Sequence, residues 1–398
     1  MGHQQDDNHL STHPWIDFKL DLRGISHATW LALGECASKC DHIASTPLRP
    51  DLRDELHRVY LAKGARATTA IEGNTLSEEE VLKAVSNELR VGPSKEYLRQ
   101  EVQNIIAACN MITSRIAEKH EPSITVDLLC EYNALVLRDV PVADEVQPGQ
   151  VRRHNVSVLG YRGADRRDVH KLTDRFCHWL EHDLAPLTEQ LGPVVAAILR
   201  AIVAHLYVAW IHPFGDGNGR TARLLEFDIL LQSGVPSPAA HLLSNHYNAT
   251  RSEYYRQLDL ASKTRSPIGF VEYAITGFRD GLREQLAKIT EQVRDIVWRN
   301  YVWELFRDLG SKSQSGRRQR HLALDISLQP EGVEISHVPM LTVRQQEDYK
   351  GKTMKTVSRD INKLIEMGLV VRKGKRYFAN REIITPYLPL RRSEPGRI

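Results

Sequence analysis

Ala204-His-Leu-Tyr-Val-Ala-Trp-Ile-His212-Pro-Phe-Gly-Asp216-Gly-Asn-Gly-Arg220-Thr-Ala-Arg223-Leu-Leu-Glu-Phe227 decides how the chain is read. An apolar run ends at Ile211, a polar loop with Gly215, Gly217 and Gly219 follows, and a second apolar run starts at Leu224. The outer runs read as helices and the middle as the turn between them. The glycines admit backbone angles other residues resist and leave amides uncovered at the start of the second helix. Such a start is positively polarised, and Arg220 and Arg223, three positions apart, share a face of that helix. The pattern predicts an anion site suited to phosphates. His212 is a proton acceptor near neutral pH. Asp216 is a hard oxygen ligand for magnesium held jointly with phosphates. Asn218 can donate to a phosphoryl oxygen.

The run from His212 to Arg223 resembles the signature of the Fic (filamentation induced by cAMP) family, His-Pro-Phe-x-Asp/Glu-Gly-Asn-Gly-Arg-x-x-Arg, at every fixed position. The resemblance implies a protein adenylyltransferase, an enzyme that moves AMP from ATP to a protein hydroxyl. His212 would then deprotonate the target. Asp216 would hold Mg²⁺ against the α- and β-phosphates. Asn218 and the Gly217 and Gly219 amides would hold the phosphates, with Arg220 on them and Arg223 on the γ-phosphate. Phe214 would anchor the loop from beneath.

Upstream, Leu52 to Ala67 has an apolar helical stripe, closed by Thr68-Thr-Ala-Ile-Glu72-Gly73. Ser77 and Glu80 form a capping box for the next helix. Beside the long motif, Thr68-x-x-x-Glu72-Gly73 resembles the family's inhibitory motif, which implies that Glu72 pairs with Arg223 and keeps ATP unproductive. Lys95 to Ala117 and Val126 to Leu137 suit further helices, so a helical bundle is expected. Gly149-Gln-Val-Arg152 through Val156 and Val158 to Gly163 breaks the helical pattern, and alternation predicts a short hairpin. Its position resembles the family's flap, a β-hairpin that would hold the target by strand addition, with Arg152, Val156 and Val158 in it. His205, inside an apolar helix, reads as a packed histidine. Asn245 to Tyr255 matches the region that relatives place near adenosine. Asn245, Tyr254 and Tyr255 are the candidates there, although packing tyrosines would look the same.

The tail has its own pattern. Lys352 to Gly368 reads as a helix with Thr353 as N-cap and Gly368 as C-cap, followed by a hairpin turning at Lys373-Gly374. Lys352 to Arg376 holds eight Lys/Arg against Asp360 and Glu366. Thr-Val-Ser-Arg-Asp-Ile-Asn-Lys-Leu-Ile-Glu-Met-Gly-Leu-Val, from Thr356, resembles the recognition helix and wing entry of a winged helix-turn-helix. That implies Lys355, Ser358, Arg359 and Asn362 facing DNA, while protein docking is the other use of such domains.

The fold expected is all-α: a Fic-type bundle with a small β-hairpin flap, plus a C-terminal winged helix. The division expected is 1–120 with the inhibitory motif, 121–265 as catalytic core, 266–310 as linking helices and 311–398 as winged helix. Composition agrees with a globular chain: 398 residues, 41% hydrophobic, 26% charged, net charge +3. Five cysteines without framework spacing point to a reducing, cytoplasmic setting. The first residues lack a basic segment leading into an apolar one, so neither signal nor membrane span is expected. ATP and Mg²⁺ are the expected substrate and cofactor. The expected partners are a protein with a Ser, Thr or Tyr hydroxyl, the chain itself, DNA and a second copy. The competing function is a DNA-binding transcriptional regulator whose loop senses nucleotide.

Overall fold

The structure is a computed structural model that describes residues 8–158, 161–308 and 313–384. It is predominantly helical and divides into two compact units, Met1–Ala287 and Lys288–Ile398. Helices of the first unit are α1 (His27–Ser45), α2 (Pro50–Ala70), α3 (Glu78–Val85), α4 (Glu96–Ala117), α5 (Val126–Val136), α6 (Val169–His178), α7 (Pro186–Leu191), α8 (Pro193–Ile211), α9 (Asn218–Gln232), α10 (Ser237–Ala240), α11 (Leu242–Ala249) and α12 (Arg251–Thr264). A hairpin of β1 (Ser157–Val158) and β2 (Tyr161–Arg162) sits between α5 and α6. It pairs antiparallel, Ser157 with Arg162 and Val158 with Tyr161. Its tip and the side chain of Val158 lie outside the described residues.

Local chemistry sets the ends of these helices. Ser26 caps α1, accepting from the Thr29 amide. Ser77 and Glu80 make the reciprocal capping box of α3. Gly192, at φ 82°, turns the chain into Pro193 at the first position of α8, where a missing N–H costs nothing. α8 is the core helix, buried from Ala196 onward at every position except Arg200 and Ala209. Among the described residues it alone is long and apolar enough to cross a bilayer, and 78% of that stretch is buried inside the protein. α9 returns along it, burying Leu224, Leu225, Phe227 and Ile229. α4, α5 and α2 also pack on α9. α2 approaches α11 so closely that a Cβ on Gly64 would stand 2.1 Å from the His241 ring.

α13 (Ile268–Asp308) is one continuous helix where the sequence allowed two, and it runs through the boundary between the units. In the second unit follow α14 (Gln314–Ile326), β3 (Val333–Glu334), α15 (Val343–Asp348), α16 (Met354–Glu366), β4 (Val370–Lys373) and β5 (Arg376–Ala379). The strands form an antiparallel sheet of order β3-β5-β4. Lys373 pairs with Arg376, so the turn is Gly374-Lys375, one residue beyond the sequence reading, with the positive φ on Gly374. Trp298, Val302 and Phe306 share this unit's core with Leu322, Val357, Ile361, Leu364 and Val370.

Candidate active site

The loop between α8 and α9 begins with strain. His212 is left-handed, at φ 56° and ψ 61°, a conformation that costs a non-glycine residue free energy. Its amide donates to the Val208 carbonyl at 2.9 Å, and its Nδ1 lies 3.3 Å from the Ala209 carbonyl. With the ring proton assigned to Nδ1 by that contact, Nε2 carries the lone pair. Burial holds the imidazole down to about 4. The Ala209 carbonyl works against this, the Arg152 charge adds to it, and Glu72 and Asp216 oppose it. Across neutral pH the ring is therefore an uncharged base.

The loop is stapled from within. The Phe214 amide donates to Asn218 Oδ1 at 2.9 Å and Asn218 Nδ2 donates to the Phe214 carbonyl at 2.8 Å. Both ends of the Asn218 amide are thus committed, and its side chain shapes the loop. Phe214 is buried beneath, as an anchor. Gly217, at φ 76°, opens α9. Its amide donates to Asp216 Oδ1 at 2.5 Å, and Arg220 Nη2 reaches the same oxygen at 3.3 Å. Asp216 Oδ2 makes no hydrogen bond or ion pair among the described residues, on a side chain 46% exposed. No group of three His, Cys, Asp or Glu that could hold a metal exists among the described residues. One carboxylate with an open oxygen fits Mg²⁺ that keeps most of its ligands from water and phosphates.

The start of α9 is covered from within. The first intrahelical bond of α9 runs from the Thr221 amide to Gly217 at 2.8 Å, so the amides of 218–220 lie ahead of it as the helix's outward donors. Arg220 is buried and pairs with Glu101 of α4 at 2.9 Å. Arg223, fully buried, donates through Nη2 to the Thr68 carbonyl at 3.0 Å and to Glu72 Oε1 at 2.5 Å. Its Nε and Nη1, and the Nε of Arg220, are buried without a hydrogen-bond partner. Orphaned buried donors are rare and mark a place for an acceptor. A Cβ on Gly219 would fall 2.2 Å from Glu72 Oε1, so this carboxylate rests on the bare first turn of α9. Burial pushes the Glu72 pKa up, but the charge and hydrogen bond of Arg223 outweigh it, with help from Arg220 and His212, and hold the pKa below its usual value.

Arg152 is not on a docking surface. Its buried guanidinium binds carbonyls: His212 from Nε at 2.7 Å, His154 from Nη1 at 2.6 Å, Ala164 and Ile211 from Nη2 at 2.5 and 3.3 Å. Its own amide donates to the Pro213 carbonyl at 2.9 Å. One cation thereby caps the C-terminus of α8 and ties both arms of the hairpin to the loop. Burial lowers its pKa to about 10. Val156 is half-buried and close to Gly163, which in turn crowds the His212 Cβ.

Several participants carry no signal in the sequence. Asn133 of α5 donates to the Asp216 carbonyl at 2.9 Å and accepts from the Gly149 amide at 2.9 Å, joining loop to hairpin. Glu101 accepts from Arg220 and from Asn74 of the turn after Glu72. His13, in the N-terminal arm, lies 3.1 Å from the Gly163 carbonyl. A buried Asn on the apolar face of α5 was the one available cue.

The aromatic candidates separate. Tyr254 is buried with its hydroxyl 2.8 Å from His205 Nε2, and His205 Nδ1 lies 3.1 Å from the buried Glu226. Tyr255 and Asn245 are half-buried, and the Tyr255 hydroxyl donates to the Ile71 carbonyl at 3.3 Å, next to Glu72. In the other unit Lys355, Arg359 and Asn362 are exposed, while Ser358 donates its hydroxyl to the Met354 carbonyl at 3.0 Å.

Residues 123–230 match the Fic/DOC family. The protein adenylyltransferase fic-1 of Caenorhabditis elegans is 32% identical over 225 residues, which is 53% of this chain and 41% of that protein. The protein adenylyltransferase Fic of Nematostella vectensis is 33% identical over 196 residues, 49% of this chain and 42% of that protein. The chain thus spans about two fifths of the length of these relatives. A Fic family protein from Desulfovibrio desulfuricans G20 has a similar fold, with a TM-score of 0.54 at 21% identity over 89% of this chain and 96% of that one. The solved part of C. elegans Fic-1 gives a TM-score of 0.53 at 25% identity, over 67% of this chain and 74% of that one. The segment from α5 to α9, which carries the left-handed histidine and the glycine-rich turn, is thus the part of the chain that matches the Fic/DOC family.

Proposed function

We propose that the first unit is a protein adenylyltransferase. It transfers AMP from ATP to a Ser, Thr or Tyr hydroxyl of a protein, its own chain included, and Glu72 holds it in check. One observation carries the reading. Arg223 has two buried donors without acceptors, beside a helix start whose bare Gly219 is covered by a carboxylate. That is an anion site filled by an internal anion. In the reaction the target oxygen attacks the α-phosphorus, the bond to the β-phosphate oxygen breaks, and pyrophosphate leaves. The proton passes to His212 Nε2, the lone-pair nitrogen of a ring kept neutral by burial. The α9 amides and Arg220 take the phosphates, and Arg223 takes the γ-phosphate once Glu72 releases it. Mg²⁺, held by Asp216, would neutralise phosphate charge. The hairpin offers the target its backbone edge, with Arg152 fixing its base. Tyr255 and Asn245 are the adenosine contacts that remain accessible.

In this reading 1–120 carries the inhibitory element, 121–265 the catalytic core, 266–310 linking helices, and 311–398 a winged helix-turn-helix. The last rests on the order α14, β3, α15, α16, β4, β5 and the sheet order β3-β5-β4. A pure nucleotide sensor would have no use for a strained, neutral histidine at the mouth of the cradle. His212→Ala should abolish label transfer from α-labelled ATP while calorimetry still registers ATP binding. Transfer that persists removes His212 as the base, and an absence of ATP heat even after Glu72→Gly removes the nucleotide site.

A further inference from the structure

The N-terminal arm reaches the hairpin through one histidine. His13 is buried, and its Nε2 lies 3.1 Å from the carbonyl of Gly163, 150 residues along the chain. A carbonyl can only accept, so the ring proton is assigned to Nε2. In the neutral ring Nδ1 is then the acceptor, and it faces the Thr12 hydroxyl at 2.9 Å. An imidazole is costly to bury without partners, and an arm that only covered apolar surface would have no need of one.

The arm is itself bound to α8. His9 Nε2 lies 2.9 Å from the Ile16 carbonyl, and the Ile16 amide donates to the His13 carbonyl at 3.1 Å, which closes residues 9–16 into a compact turn. Ile16 is wholly buried. Asp17 Oδ1 accepts from the Tyr207 hydroxyl at 3.2 Å. Phe18 is left-handed, at φ 54°, a backbone state that persists only where the surroundings over-determine it. Its ring stacks on Tyr207 at 5.3 Å, meets Trp179 edge-on at 6.0 Å and lies under the Arg175 guanidinium at 5.0 Å. Tyr207 stands five residues before His212 on α8. The arm therefore joins the helix that leads into His212 to the return arm of the hairpin.

Gly163 is where the hairpin meets His212. A Cβ there would fall 3.1 Å from the His212 Cβ, 3.3 Å from Val156 Cγ2 and 3.4 Å from Arg152 Nη2. Two successive carbonyls fix this point: His13 holds that of Gly163, and Arg152 Nη2 holds that of Ala164 at 2.5 Å. We propose that His13 is a positioning residue for transfer: the arm straps the hairpin down through the Gly163 carbonyl and so sets where a target hydroxyl stands relative to His212 Nε2. This rests on the transferase reading, in which the hairpin holds the target. Gly163 touches His212, so a displacement of about 1 Å there moves the base and the target together, and misplacement of that size costs up to about 100-fold in rate. Arg220 takes its partner Glu101 from α4, and Arg223 takes Thr68 and Glu72 from the end of α2 and the turn after it. The strap should therefore act on transfer and not on ATP affinity.

The test uses the full chain carrying Glu72→Gly, with two measurements: hydrogen exchange of the segment 152–165 by mass spectrometry, and the maximal rate of self-labelling from α-labelled ATP. Adding His13→Ala should speed exchange in that segment by about 3- to 10-fold. It should lower the maximal rate by about 10-fold, with the half-saturating ATP concentration within about twofold. His13→Gln, whose amide N–H reaches about as far as Nε2, should recover most of both losses. Thr12→Val removes the hydroxyl facing Nδ1 and should give smaller changes in the same direction; it carries the test where His13→Ala fails to fold. Exchange unaltered by both His13→Ala and Thr12→Val overturns the strap. Faster exchange with an unchanged rate, a His13→Gln form no better than His13→Ala, or a half-saturating ATP concentration that rises as the rate falls overturns the positioning role. Any of these in a parent that labels itself leaves the transferase reading standing. A Glu72→Gly parent that transfers no label sinks that reading, and the positioning role with it.

Discussion

Replacing Glu72 tests the proposed latch on Arg223 directly. Arg223 is fully buried, and among the described residues its one anionic hydrogen-bond partner is Glu72 Oε1 at 2.5 Å. A hydrogen bond to a charged group contributes about 1.5–3 kcal/mol. The Glu72 side chain is 33% exposed, so solvent screening places the pair at the low end, about 1.5–2 kcal/mol. At 1.4 kcal/mol per tenfold, releasing Arg223 should raise initial transfer by about 10- to 30-fold in Glu72→Gly. Glu72→Ala should match it, because the gain comes from the missing carboxylate and not from a looser turn. Glu72→Gln keeps an acceptor of the same size but loses the charge. A neutral bond is about half as strong, so its gain should be about fivefold. ATP affinity should rise in the same order, since the carboxylate rests on the turn of α9 that would receive phosphate. The assay is the initial rate of self-labelling from α-labelled ATP, with calorimetry for ATP. Glu72→Gly and Glu72→Ala forms that bind ATP yet transfer at the parent rate would refute the latch.

Arg152→Lys should lower kcat by about 10- to 100-fold with KM for ATP within about twofold, because lysine cannot span the four carbonyls that shape the loop and hairpin base. A raised KM with kcat intact would instead make Arg152 a nucleotide contact. His212 is held down to about 4 by burial, so transfer by the Glu72→Gly form should show no inflection near 6.5 and stay level between pH 5 and 8. The same depression disfavours protonation of the folded state. This stabilisation is full above pH 6.5 and is lost as pH falls toward 4, so Tm should be lower at pH 5 than at 7. His241, which burial and the His57 charge push down to about 3, acts in the same direction. A rate that falls by half near pH 6.5 would show a solvated imidazole and contradict the buried geometry.

What the sequence determined by itself is local. Ser77 with Glu80 marks a helix start through bonds reaching three residues, and the structure forms both of them. The glycine-rich turn between α8 and α9 was equally legible, because positive φ and bare amides are properties of residue type. The resemblance to the family's motifs named Glu72 as a partner of Arg223, but their meeting spans 151 positions and needs the end of α2 set over the start of α9. Only the tertiary structure gave Arg220 its partner Glu101, 119 residues away, and joined Asn133 to both loop and hairpin. It also moved Arg152 from an expected docking edge into the interior, and turned Asn218 from a phosphate donor into a staple across Phe214. Which donors a side chain has is written in the sequence. Which of them remain for a ligand is decided by packing, because a buried donor takes whatever acceptor the neighbouring element brings within 3 Å.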